Sequence, residues 1–287
     1  MKIEVNIINA FTKNGKGGNP AAIVLNADKL TSEQKQRIAV AAGLSETGFI
    51  SDSREADFKL DFFTPTRQIA HCGHATIAAF WYLRQLGKIT AGRSSKETID
   101  GTREIIFSGD EVFMQQKKPV TGDLTGTDRQ LVYSSLGLKQ PQGKPEPVLI
   151  NTGNSFLIWD VGEDASLKTI VPDWEMITTV SRKHNLIGYY LFANSNVAGL
   201  DATTRMFAPA YGIQEEAATG MAAGPLAAYL FNHGQRKQNY VIEQGHFMEK
   251  PSESLIKVNL EVHEDQITSL YAGGIAALTD KIWFDID

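Results

Sequence analysis

The 287-residue sequence predicts an α/β (α+β) protein built from two similar halves, each wrapping its sheet around one buried central helix. Three observations carry that prediction. Short strand-like patterns outnumber helical ones along the chain. Two helical stretches, 74–86 and 221–233, are apolar nearly all round, which suits burial on every side. The second half also repeats motifs of the first in the same order, the mark of an internal duplication.

Taken in order, residues 3–8 and 20–25 (PAAIVL) read as strands. Thr31-Ser32-Glu33-Gln34 has capping-box spacing and opens a helix that Gly43 closes. Residues 47–51 read as a strand, and DFKLDFF (57–63) alternates, with Phe58, Leu60 and Phe62 sharing a face. The helix over 74–86 carries Ala75, Ile77, Ala78, Phe80, Trp81 and Leu83, shows no polar face before Arg84, and ends at Gly87. Strands at 102–108 and 111–116 follow. KKPVTGDLTGT (117–127) reads as a linker, and a helix is expected at about 127–137.

In the second half GNSFLIWD (153–160) answers GNPAAIVL (18–25), each opening on Gly-Asn. A helix is expected at about 173–185, then the strand IGYYLF (187–192). FTPTRQIAHCGHATIAA (63–79) aligns without a gap to FAPAYGIQEEAATGMAA (207–223), which sets Cys72 opposite Glu216. YLRQLG (82–87) then answers YLFNHG (229–234) after a three-residue offset. Pro225 is expected near the first turn of the second buried helix, where its missing N–H costs little.

Composition narrows the function classes. The chain is 42% hydrophobic and 21% charged, with a dispersed net charge of -5, so no basic nucleic-acid surface or polybasic membrane anchor is expected. The opening MKIEVNIINAF lacks the apolar core of a signal peptide, and no apolar run approaches a membrane span. A single cysteine excludes an internal disulfide and fits a reducing cytoplasm. The expectation is a soluble cytoplasmic protein. Each half presents a loop feeding its buried helix, and Gly73 and Gly220 allow backbone to approach a ligand closely. The helix starts would attract a carboxylate or oxyanion, so a cleft between the halves is the expected small-molecule site.

GNPAAIV, LSETGFI, FFTP, CGHAT, RMFAPAYGI and EEAATGMAAGPL together resemble the motif set of the PhzF-like (phenazine biosynthesis) family, over essentially the whole chain. The resemblance implies the diaminopimelate-epimerase fold with its two β-roll or barrel halves, cofactor-free isomerase chemistry in the interdomain cleft, and a homodimer. It implies a first domain of residues 1–118 joined by about 275–287, and a second of 119–274. Glu46 of LSET matches the family's general acid/base glutamate, and His74 of GHAT its cleft histidine. Glu216 stands where the phenazine enzyme has an aspartate, and Met221 where it has a serine.

The chemistry follows from the residue types. Moving a hydrogen between carbons without a cofactor needs a base beside a carbon acid, and charge stabilisation. A carboxylate in an apolar pocket suits that task, and Glu46 lies between Leu44 and Phe49. Paired carboxylates such as Glu46 and Glu216 can divide acid and base roles. The expected catalytic set is Glu46, His74 and Glu216, and the expected substrate contacts are Asn19, Ser45, Cys72, Gly73, Gly220 and Met221. The substrate is expected to be a small carboxylate.

Each of these residues also has an ordinary role open to it. Glu46 can be a strand-edge carboxylate, His74 a helix-start or core histidine, Glu216 with Glu215 a solvated loop pair, and Met221 packing. Asn19 and Asn154 suit turns. Two other functions stay open: a racemase or epimerase using Cys72, and a catalytically weak small-molecule-binding protein of the same fold. No metal is expected at His71, Cys72 and His74, because neighbours in an extended loop diverge. The remaining histidines show no ligand spacing. Neither G-x-G-x-x-G nor a Walker A motif occurs, so nucleotide binding has no support, and the absence of any cofactor is what the family resemblance implies.

Overall fold

The computed structural model describes residues 1–139 and 145–286; Asp287, last residue of the expected closing segment, lies outside them. The first stretch runs β1 (Lys2–Ala10), β2 (Asn19–Val24), α1 (Ser32–Ala42), β3 (Thr47–Ser51), β4 (Phe58–Phe63), β5 (Gln68–Ile69), α2 (Gly73–Gln85), β6 (Arg93–Thr98), β7 (Gly101–Ser108) and β8 (Glu111–Gln116). The second runs β9 (Val120–Gly122), α3 (Gly126–Ser135), β10 (Val148–Asn151), β11 (Ser155–Gly162), α4 (Asp164–Thr169), α5 (Trp174–Lys183), β12 (Leu186–Asn194) and β13 (Ala202–Phe207). It continues with α6 (Gly220–Asn232), β14 (Asn239–Gln244), β15 (Ser254–His263) and β16 (Gln266–Gly274), and β17 (Ala276–Asp285) closes the chain. Two compact units result: Met1–Gln115 with Gly273–Asp287, and Gln116–Ala272.

In the first unit β17 pairs antiparallel with β1, and β1 with β2. The pairing then continues parallel to β3, antiparallel to β4, parallel to β6 and antiparallel to β7 and β8. α2 packs on β1, β2, β3 and β17. Its His74–Phe80, Tyr82 and Leu83 are all buried, so it is enclosed as its sequence requires. α1 starts at a complete capping box, with Thr31 accepting from the Gln34 amide and the Gln34 side chain accepting from the Thr31 amide. Gly43 ends it in the left-handed region. Phe63 turns to the opposite face from Phe62 and meets Phe49 edge-on at 5.5 Å in a core with Val5, Val24 and Ile38. Gly18 is obligatory: its φ is +82° and an added Cβ would fall 2.4 Å from the Ala10 carbonyl oxygen.

The second unit repeats the pattern. β10 pairs antiparallel with β11, then parallel to β12, antiparallel to β13, parallel to β14 and antiparallel to β15. The same order of senses runs from β1 to β7, with α2 and α6 at matching places. The internal repeat read from the sequence is thus a repeat of topology. α6 packs on β10, β11 and β15 and buries all of its residues except Met221 and Asn232.

Several expectations change. The alignment gap falls before the helix, since α2 begins at Gly73 and α6 at Gly220. Cys72 therefore corresponds to Thr219, each the residue before its helix, and not to Glu216. Pro225 lies inside α6 and not in its first turn. Beside it, Gly224 has no room for a side chain, because an added Cβ would lie 2.2 Å from Gln116 Oε1. Gln116 takes that space in order to donate to the Gly220 carbonyl (2.8 Å) and accept from Thr152 (2.8 Å). The segment read as a linker contains β9, which pairs with β10. Buried Asp128 of α3 is held down at about 2 by hydrogen bonds from Lys183 and Thr125, and His184 of α5 lies 2.9 Å away. Among the described residues no helix is long and apolar enough to cross a membrane.

Candidate active site

Glu46 sits immediately before β3, and its carbonyl accepts from the Ala22 amide of β2 at 3.2 Å. That bond fixes the backbone from which the carboxylate projects. Gly48 follows so that Ile23 and the Phe62 ring can close on the strand, the nearest atom lying 3.2 Å from an added Cβ. Glu46 is only 8% exposed. Cys72 is extended (φ -144°, ψ 126°) and the chain turns helical at Gly73, which brings His74 back beside it. The imidazole thereby stands between two groups. His74 Nδ1 is 3.6 Å from Cys72 Sγ, and its Nε2 is 3.4 Å from Glu46 Oε2. All three side chains are buried. No side chain caps the start of α2.

Lys96 of β6 escaped the sequence reading. It is fully buried, donates to Thr76 Oγ1 at 2.7 Å, lies 3.2 Å from His71 Nδ1 and sits 5.3 Å over the Phe62 ring. Thr76 in turn donates to the Cys72 carbonyl at 2.6 Å. Lys96 therefore anchors the loop that carries Cys72 and His74. Polar RSSKET gave no signal of an inward-facing lysine. Burial, the largest cause, lowers the Lys96 amine to about 7.

From pH 7 to about 10 the unfolded chain then holds a proton that the folded chain does not, so this residue makes stability rise with pH. We expect the stability of the parent relative to Lys96→Met to climb by up to about 1.4 kcal/mol per pH unit across that window. Urea unfolding of both proteins from pH 6 to 10 measures it, and parallel curves would contradict the burial argument.

The remaining expected residues lie as follows. Asn19 is buried at the start of β2, Ser45 is exposed beside Glu46, and Gly73 begins α2. In the second unit Glu216 accepts from Thr219 Oγ1, and its carbonyl accepts from Gln244 Nε2 at 2.7 Å. Gly220 is buried and Met221 half-buried at the start of α6. Glu215 is no solvated partner of Glu216, since it takes a bidentate pair of bonds from Arg205 (2.7 and 2.8 Å).

Two units that each wrap a sheet around a buried helix, with a buried imidazole at the start of one helix and a buried carboxylate beside it, belong to an enzyme of the isomerase class on a diaminopimelate-epimerase-like fold. A sequence profile of the phenazine biosynthesis-like protein family matches residues 8–281, and the chain belongs to that PhzF family. It is similar to an uncharacterised isomerase of Clostridium acetobutylicum, 33% identical over 79% of this chain and 78% of the other. A trans-2,3-dihydro-3-hydroxyanthranilate isomerase of Pseudomonas chlororaphis is 32% identical over 93% and 94% of the two chains. The crystal structure of a Bacillus anthracis PhzF-family protein superposes with a TM-score of 0.88 at 26% identity, covering all of both chains.

Proposed function

We propose that the protein moves a proton between carbons of a small carboxylate-bearing metabolite without a cofactor, with Glu46 as general acid/base. The observation that carries this reading is the approach of Glu46 Oε2 to His74 Nε2 at 3.4 Å, both side chains being buried. Glu46 takes a proton from a carbon next to a carbonyl, carboxylate or conjugated alkene. The electron pair delocalises through an adjacent carbon–carbon double bond onto the carbonyl or carboxylate oxygen as a dienolate. The proton returns at the far carbon of that conjugated system as the double bond shifts. His74 and the start of α2 supply hydrogen-bond donors for the developing charge. The similar Pseudomonas isomerase is named for a hydroxyanthranilate, itself a small carboxylate. Glu216 is proposed as the second acid/base group, with its own variant, Glu216→Gln, as the test. The single cysteine supports a cytoplasmic location, and the family reading a homodimer, which sedimentation checks.

A thermal-shift screen of metabolites, followed by deuterium incorporation from solvent on each hit, tests the reaction type. If no carbon acid exchanges, the protein is a binding protein. One observation favours a second reading, because Cys72 Sγ also touches the His74 ring and can serve as a base in a racemase. Cys72→Ser separates the two. With Glu46 as the base we expect a loss of a few-fold, through the changed loop. Abolished exchange in a folded Cys72→Ser protein would transfer the role to the thiol, a hydroxyl being a far weaker base than a thiolate.

A further inference from the structure

We propose that Glu46, Cys72 and His74 form a binding site for a thiophilic divalent cation, zinc foremost, and that the ion competes with substrate for these side chains. The competition rests on the acid/base reading above, whereas the binding does not. The sequence argued against a metal because neighbours in an extended loop diverge. The start of α2 at Gly73 removes that objection, since Cys72 is extended while His74 is already helical. The third donor comes from another segment altogether.

Ligand atoms of the three side chains all lie within 4.8 Å of one another. The two short approaches, 3.6 Å from sulfur to imidazole and 3.4 Å from imidazole to carboxylate, are close to the spacing of adjacent donors around tetrahedral zinc. Bonds of about 2.0–2.3 Å put those donors roughly 3.4–3.5 Å apart. An imidazole gives a metal one nitrogen, so closing the site needs a rotation of the His74 ring and a contraction of the remaining gap. The donor set chooses the ion, because thiolate and imidazole favour zinc over magnesium or calcium. Thiolate and carboxylate together balance a double positive charge, so the ion is not buried uncompensated. Glu46 Oε2 is also buried with no hydrogen-bond partner among the described residues, His74 Nε2 approaching at 3.4 Å without bonding it, so it is an acceptor whose desolvation a cation would offset. Three protein donors leave a fourth position for water.

The test uses cobalt(II) as a spectroscopic probe and zinc as its competitor on the full chain. Cys72 is the only cysteine in the sequence, so a thiolate-to-cobalt charge-transfer band reports this site alone. We expect the band at one equivalent of metal, its displacement by zinc, and its loss in Cys72→Ser. Glu46→Gln and His74→Asn should each weaken binding at least about tenfold, since losing a donor should cost no less than losing a group that merely orients one. His246→Ala, in the separate Glu243, His246 and Glu253 cluster, should leave the band unchanged. Thermal melts establish that each variant folds, and Glu46→Gln decides the matter if His74→Asn does not. The absence of a band, or a band equally strong in Glu46→Gln and His74→Asn, overturns the site. Zinc raising KM in the exchange assay supports the competition. Zinc bound with unchanged turnover overturns the competition and counts against Glu46 as the base, while the metal site stands.

Discussion

Glu46→Gln is expected to lower solvent exchange into the substrate by about 10²–10⁴-fold, the usual contribution of a general acid/base group. Glutamine keeps the volume of the side chain and can still hydrogen-bond, but it cannot accept a proton near neutral pH. Glu46 is 8% exposed, so a larger change of shape there would blur chemistry with packing, and the amide avoids that. The drop should fall on kcat more than on KM, because the lost interaction belongs to the transition state. His74→Asn should cost less, since it removes a hydrogen-bonding neighbour and leaves the base. Exchange at the parent rate in a folded Glu46→Gln protein would end the assignment and pass the role to Cys72 or Glu216.

Arg205→Leu is expected to destabilise the protein by about 3–5 kcal/mol, the cost of breaking a buried ion pair by removing one partner. Arg205 is 8% exposed and engages both oxygens of Glu215. Its guanidinium also donates to the carbonyls of Leu167 (2.9 Å) and Ile170 (3.3 Å), which ties the end of α4 to β13. Leucine leaves the Glu215 carboxylate without its counter-charge and two carbonyls without a donor. Replacing Glu215 by leucine as well should recover part of the loss, since the uncompensated charge is then gone. Denaturant titration of the single and double variants measures both effects. A single-variant loss below about 1 kcal/mol would place the pair with screened surface bridges instead.

Much of the architecture could be read from local rules. The capping box at Thr31, the stop at Gly43 and the all-round apolar helices at 74–86 and 221–233 each depend on residues within a few positions of one another. Structure returns them within one or two residues. The repeat was legible too, because GNPAAIVL and GNSFLIWD occupy equivalent strands, β2 and β11. The motif set, spread along the chain in order, pointed to the family and to Glu46 and His74 within it.

Other features depended on where elements begin and which strands pair. A gapless alignment set Cys72 against Glu216, whereas the three extra residues lie in the loop before α6 and make Thr219 its counterpart. Side-chain direction turns with every residue of a helix and reverses with every residue of a strand, so one helix start decides which groups meet. By itself the sequence determined the repeated units, their buried helices and the residue types at the start of α2. Only the tertiary structure decided that the His74 imidazole lies between Glu46 and Cys72, that Lys96 holds their loop from beneath, and that Glu215 belongs to Arg205. Those contacts join segments far apart in the chain, and their partners are chosen by strand pairing and burial, which no short window of residues contains.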